Sequence, residues 1–126
     1  MWVYIQKTGE IFHDALFTAL GYSGNGAWKN DPAAQGVHNH GPLPCGMYLM
    51  EPPRDDPHVG PYAIPLKPNM DNHMYGRSAF YWHGDSIAHP GDASDGCIVS
   101  ARDIREAAWN SGDHYLKVIA EEAIPA

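Results

Sequence analysis

Hydrophobic and polar positions in this chain fall into short runs cut by turn residues, the pattern of a sheet rather than a helix bundle. Trp2-Val3-Tyr4-Ile5-Gln6-Lys7 is β-branched and aromatic and predicts a first strand, with Thr8-Gly9-Glu10 as a hairpin turn. The apolar run Ile11 to Leu20 suits a strand or a short helix, and the short polar connection before it favours a strand paired with the first. From Gly21 to Pro44, glycines, asparagines and prolines predict a long irregular connection, of a length that commonly carries function. Gly41-Pro42-Leu43-Pro44-Cys45-Gly46 punctuates the approach to a strand at Met47–Met50. Glu51 to Gly60, broken by Pro52, Pro53 and Pro57, reads as a loop, and Pro61–Leu66 as an edge strand, where internal prolines are tolerated.

Ala79-Phe80-Tyr81-Trp82-His83 is the strongest buried-strand signal and stops at Gly84-Asp85-Ser86. A second loop, His89 to Gly96, leads into Cys97-Ile98-Val99-Ser100. Ser100 and Asp103 have the spacing of a helix-start signature, Ala101 to Trp109 is rich in helix formers, and Ser111-Gly112-Asp113 stops them. Tyr115–Ile119 predicts a last strand, followed by a loose tail from about Ala120. The expected fold is mainly β, a β-rich α+β sandwich or barrel with one short helix after the cysteine.

At 126 residues there is room for one core, so residues 1–126 form a single expected domain. Thirteen glycines and eleven prolines strengthen the turn-rich β reading. A net charge of −7 excludes a phosphate-neutralising nucleic-acid reader. No stretch approaches the ~18 apolar residues of a membrane span. The first residues lack a charged region followed by an apolar one, so the expectation is synthesis in the cytoplasm without a signal peptide. Two cysteines are too few for a disulfide scaffold or a four-thiolate zinc site.

The chemistry concentrates in Trp82 to Val99. His83 ends one strand and Cys97 begins another, with a glycine-rich loop between them. A cysteine nucleophile needs its thiolate, which a neighbouring imidazole can generate by taking the proton and later returning it to a leaving amine. Gly96, without a Cβ, lets the backbone turn so that the amides of Gly96 and Cys97 face a developing oxyanion. Ser94 is placed to orient a loop amide or touch substrate, and Asp95 to do either or face water.

His-Gly, a short glycine-rich loop, then Ser-x-Gly-Cys and Ile-Val resembles the catalytic motif of L,D-transpeptidases. More closely it resembles their compact branch of exported, type VI secretion effectors, once catalogued as a domain of unknown function. Gly41-Pro42-Leu43-Pro44-Cys45-Gly46-Met47-Tyr48 and Gly76-Arg77-Ser78-Ala79-Phe80 extend that likeness over most of the chain. The resemblance implies that Cys97 is the acylated nucleophile, His83 the general base and the Gly84 carbonyl the group orienting the imidazole. It implies peptidoglycan peptide stems as substrate, with water, a D-amino acid or a stem amine as acceptor. It also implies action in the periplasm after delivery by a secretion system or phage lysis, and an immunity protein as partner. The chain departs from the longer enzymes in carrying Asp95 where they have a second histidine, and Ile98-Val99-Ser100-Ala101-Arg102 where an Arg or Asn soon follows the cysteine.

Other residues compete for roles. His89, on the intervening loop, is a rival base or a solvated loop residue. His38 and His40, in His-x-His spacing, suggest a metal hydrolase if joined by His83 and an aspartate. A wall-binding module without chemistry is the third class. Arg77 suits a bidentate grip on a substrate carboxylate or a surface ion pair. Trp82, Asp85 and Ser86 are further candidate substrate contacts. Of Phe80, Tyr81 and Trp82, which alternate along a strand, at least one faces the core and another is free to line a cleft. Cys45 reads as a buried structural thiol, and Trp28 and Trp109 as packing residues. The loops at Gly24–Pro44 and Glu51–Gly60 are candidate cleft walls. No cofactor is called for, and a monomer is expected.

Overall fold

In the computed structural model, which describes residues 1–121, the apolar runs pair into one ten-stranded sheet. Its strands are β1 (Trp2–Ile5), β2 (Glu10–His13), β3 (Leu16–Leu20), β4 (Tyr22–Ser23), β5 (Gly46–Met50), β6 (Arg54–Asp56), β7 (Gly60–Pro68), β8 (Phe80–His83), β9 (Ile98–Val99) and β10 (Tyr115–Ile119). Helix α1 (Arg102–Asn110) lies between β9 and β10, and 3₁₀ turns at Gly26–Trp28 and Pro32–Ala34 interrupt the long loop. The strand order is β3-β2-β1-β10-β5-β7-β8-β9-β4, with β6 added to β7. The sheet curls into a nearly closed, barrel-like, mainly β fold with one helix, its end strands β3 and β4 being consecutive in the chain and joined at Gly21.

The inner face carries the core: Trp2, Tyr4, Tyr48, Ile64, Trp82 and Leu116 are all buried. Trp2 and Trp82 meet edge to face at 6.1 Å, a favoured aromatic geometry. Helix α1 packs over β7 and β8, burying Ala108 and Arg105. Most strand pairs are antiparallel, but β1 with β10 and β8 with β9 run parallel, the latter with Trp82 opposite Ile98 and His83 opposite Val99. Parallel neighbours need a crossover of a dozen or more residues. The loop from Gly84 to Cys97 is that crossover, and it puts a strand-end histidine and a strand-start cysteine on adjacent strands.

Four expectations need correction. The run Ile11–Leu20 is not one strand but the hairpin β2–β3, turned at Asp14 (φ 48°) and Ala15 (φ 68°). Two successive left-handed residues make the tight turn that suits twisted strands. An Ala15→Gly variant is expected to gain about 1 kcal/mol in urea denaturation, because glycine adopts this conformation without a Cβ clash. The strand at Pro61–Leu66 is interior, flanked by β5, β6 and β8. Pro65 is tolerated there because its carbonyl, and hence its missing N–H, points to the junction where β5 ends and Glu51 N donates back to Pro65 O at 2.9 Å.

The loop Glu51–Gly60 contains the short strand β6. Ser100 does not cap α1: Ala101 is the N-cap, with no side-chain cap bond, and Ser100 Oγ instead accepts the indole N–H of Trp82 at 2.7 Å. The expected helix, stop and last strand are otherwise present at Arg102–Asn110, Ser111–Gly112 and β10. Of the loose tail, residues 122–126 lie outside the described residues.

Candidate active site

Side chains alternate across a sheet, so residues two apart on a strand share a face. The β8–β9 register therefore puts Tyr81, His83, Cys97 and Val99 on one face, and Trp82 with Ile98 on the core side. Cys97 stands immediately before β9, next to the Ile98 that pairs with Trp82, and His83 ends β8. Both line a cleft of about 470 Å³. Its walls come from both loops expected to supply them: Asn39 from one, and Asp56, His58 and Val59 from the other. Ser78, Ala79, Phe80, Tyr81, Ala93 and Asp95 complete it. A second cavity, of about 640 Å³, lies beyond His83 and is lined by Gly84, Asp85, Val99 and Arg105 among others.

Both side chains are held by backbone groups. His83 is 2% exposed, and its Nδ1 lies 2.7 Å from the Gly84 carbonyl. That carbonyl only accepts, so Nδ1 carries the proton and Nε2 keeps a lone pair. Burial pushes the imidazole below its ordinary value; the bond to Gly84 opposes this and the nearby Arg105 adds to it. The ring is neutral at pH 7. Cys97 is 8% exposed, and its Sγ accepts the Tyr81 amide at 3.3 Å. Burial pushes its thiol up to about 11, with Asp95 and Asp56 reinforcing that and the Tyr81 amide and Arg77 working against it. The resting pair is thus a thiol and a neutral imidazole.

The turn before Cys97 is built as a knot. Ser94 Oγ donates to Cys97 O at 2.5 Å and accepts the amides of Gly24 (2.9 Å) and Gly96 (3.1 Å). Ser94 therefore orients the loop, as expected, but it also occupies the Gly96 amide, which corrects the expectation that this amide faces an oxyanion. Gly96 has φ 133°, and a Cβ there would stand 2.3 Å from Arg77 Nη2 and 2.8 Å from Phe80 Cε1. Ser23, buried on β4, donates from Oγ to Gly96 O at 3.0 Å and accepts Leu43 N at 2.8 Å.

Several candidates take other places. Arg77 forms no ion pair among the described residues. It is buried, with Nη1 donating to Gln35 O (2.6 Å) and Pro42 O (2.9 Å), and Nη2 to Gly41 O (3.0 Å) and Asp95 O (3.1 Å). Trp82 is fully buried in the core rather than at a substrate surface, while Tyr81 and Phe80 of the same strand both line the cleft that holds Cys97.

Asp85 lies outside the cysteine cleft and organises the crossover loop, accepting from Tyr22 OH (2.6 Å), Ser86 N (2.8 Å) and Gly91 N (3.1 Å). Its partial burial disfavours the charge, but these donors outweigh it and hold the carboxyl below its ordinary value. Ser86 Oγ accepts the His89 amide at 2.9 Å, and His89 is exposed and lines neither cavity. Asp95 keeps its place in the cleft wall, with Asn25 Nδ2 3.3 Å from its Oδ1.

The expected metal grouping is not assembled. His38 Nε2 bonds Tyr75 O at 2.7 Å, and His40 Nδ1 bonds Asn25 Oδ1 at 2.9 Å. Among the described residues, the group with ligand spacing is His13, Asp14 and Asp113, and there the Met1 ammonium sits 2.7 Å and 2.6 Å from the two carboxylates. Cys45 is a half-buried free thiol donating to Gln6 Oε1 at 3.4 Å. Sequence reasoning missed Tyr81's cleft position, Asp56, His58 and Asn39; strand alternation from His83 would have found the first, while the others depend on loop paths.

Fold and site together define a small, barrel-like β protein with a cysteine and a histidine in one cleft. The model of the Tlde1 domain matches residues 18–121, and the chain belongs to that family, a family of type VI secretion effectors. No curated protein and no solved structure matches the chain significantly. Among the described residues no helix is long and apolar enough to cross a membrane.

Proposed function

We propose that this effector-family domain is a cysteine acyl-transfer enzyme acting on the peptide stems of peptidoglycan, of the L,D-transpeptidase and L,D-carboxypeptidase type. The observation that carries this reading is the placement of Cys97 and His83 on one face of adjacent parallel strands, in one cleft, with Nδ1 of His83 committed to the Gly84 carbonyl. That bond selects the tautomer whose Nε2 can accept a proton, and the buried thiol has one to give.

In the proposed reaction the stem's third residue, a meso-diamino acid, presents its carbonyl to Cys97. Sγ attacks as its proton passes to His83 Nε2, and the tetrahedral oxyanion forms at the Cys97 amide. The C–N bond to the terminal D-alanine then breaks, its amine taking the proton back from His83. The resulting thioester passes its acyl group to water, a D-amino acid or a neighbouring stem amine, which loses a proton to His83 as the C–S bond breaks and the Cys97 sulfur takes that proton to restore the thiol. An oxyanion donor of this kind is worth about 3 kcal/mol. The substrate places the site of action in the periplasm of a target cell, reached through a secretion system, and an immunity protein covering the cleft fits such a toxin.

Wild type and Cys97→Ala incubated with tetrapeptide-stem muropeptides, with products and intact protein followed by mass spectrometry, test this reading. Loss or exchange of the terminal D-alanine, with a transient adduct on wild type only, is the expected result. Turnover that persists in the alanine variant sinks it.

A further inference from the structure

Arg105 is 3% exposed, yet it belongs to none of the ion pairs among the described residues. A buried cation without a carboxylate is costly unless its donors are used, and here they go to backbone. Nη1 donates to Ser100 O at 2.6 Å, Nη2 to Pro61 O at 3.1 Å and Nε to Tyr62 O at 3.0 Å. The guanidinium also lies against Gly84, where a Cβ would stand 3.2 and 3.3 Å from its two terminal nitrogens. Gly84 O is the acceptor for His83 Nδ1, and Ser100 N donates to His83 O at 3.1 Å. Gly84 and Ser100, the two residues whose backbone groups hold His83, therefore both meet one side chain from α1.

We propose that Arg105 is the positioning residue of His83: laid against Gly84, it fixes the carbonyl that orients the ring and keeps a permanent positive charge behind it, so that the ring works as a neutral base. The proposal rests on the reading of His83 as the base. The charged and titratable groups around the ring are Asp85 from the loop after β8, Asp95 and Cys97 from the approach to β9, Asp56 and His58 across the cleft, and Arg105 from α1. Asp85 and Asp95 favour the imidazolium, while Arg105 acts with burial against it. The same cation serves the return step, because an imidazolium formed beside it gives its proton readily to the leaving amine.

The test uses Arg105→Gln and Arg105→Lys in the full chain, with folding checked by circular dichroism. The His83 ring is titrated by ¹⁵N NMR without substrate, and kcat and KM for tetrapeptide-stem muropeptides are followed across pH. Removing the charge in Arg105→Gln is expected to raise the His83 midpoint by about one pH unit, with the acidic limb of kcat moving alongside it. Below that midpoint kcat falls about tenfold while KM stays within about twofold. Arg105→Lys keeps the charge and holds the midpoint near wild type, while the lost carbonyl fork lowers kcat. An unchanged midpoint in a folded glutamine variant overturns the proposal. Should that variant not fold, the lysine variant decides: a lowered kcat with the midpoint held supports it, and wild-type kcat overturns it. If wild type leaves muropeptides untouched, the functional reading fails, and the ring titration alone still decides the role of Arg105.

Discussion

Replacing His83 with glutamine is expected to lower turnover of peptide stems by about 10²- to 10⁴-fold, the usual worth of a general base, while leaving alkylation of Cys97 by iodoacetamide unchanged. The two outcomes part because the thiol's ionisation is set by its burial rather than by the imidazole. With the thiol pushed up to about 11, only about one molecule in 10⁴ carries a thiolate at pH 7. Alkylation of wild type should therefore be slow at neutral pH and climb toward that value, and the glutamine variant should follow the same curve. A thiolate–imidazolium pair behaves differently: wild type alkylates fast near pH 6 to 7, about the range of a free imidazole, and the variant loses that reactivity. Glutamine is the informative replacement because it keeps an uncharged polar side chain of similar reach and removes the base.

The same two groups set a pH window for the fold. His83 binds its proton less readily folded than unfolded, so the unfolded chain holds more protons below the ordinary value of about 6.5. Stability from this group is full above that pH and is lost as pH falls through it. Cys97 works at the other end. Its folded value lies above the ordinary 9.0, so the contribution is full below about 9 and declines as pH rises toward 11. Between these limits the site holds a neutral imidazole and an intact thiol, the state the proposed reaction needs. The requirements of folding and of the proposed chemistry thus coincide, since both follow from burying the pair.

That Cys97 and His83 share a cleft was legible in the sequence because their signal is local, whereas the Gly84 carbonyl entered only through the family resemblance. An apolar strand that stops at His83-Gly84, and a Gly96-Cys97 step into Ile98-Val99, each announce a strand end. The parallel pairing of β8 with β9 completes that picture through a crossover whose length the chain displays openly. What escaped depends on contacts distant in sequence. The four carbonyls that Arg77 gathers come from Gln35, Gly41, Pro42 and Asp95, and nothing next to Arg77 marks it as buried. Pro65 suggested an edge strand because the chain does not reveal that β5 ends opposite it. Ser100 has the spacing of a helix cap, but the buried Trp82 indole competes for its hydroxyl and wins. Asp14 and Ala15 are not typical residues for two left-handed positions, so the turn that splits Ile11–Leu20 was hidden within an apolar run.

Arg77→Met is expected to cost about 4 kcal/mol of stability, close to the whole margin of a weakly stable domain. The methionine fills much the same space along the stem but donates nothing, so four carbonyls held at 2.6 to 3.1 Å are left to find other partners. Charged hydrogen bonds of this kind contribute about 1.5–3 kcal/mol each, less than additively when they share one group. The guanidinium also lies over the Phe80 ring, 5.2 Å from its centroid, and a cation–π contact there adds about 1 kcal/mol. Arg77→Lys should recover the charge but not the span, because an ammonium is a point donor and these acceptors lie around a planar fork. Thermal melts are expected to show a drop of more than about 10 °C for methionine and an intermediate drop for lysine. The pattern separates the two roles open to this arginine. A substrate grip predicts variants that melt like wild type and raise KM. A clamp joining the Gln35–Pro42 loop to the turn before Cys97 predicts lost stability first. Activity in the folded fraction then falls with it, because Asp95 O, one of the four acceptors, lies two residues before the nucleophile.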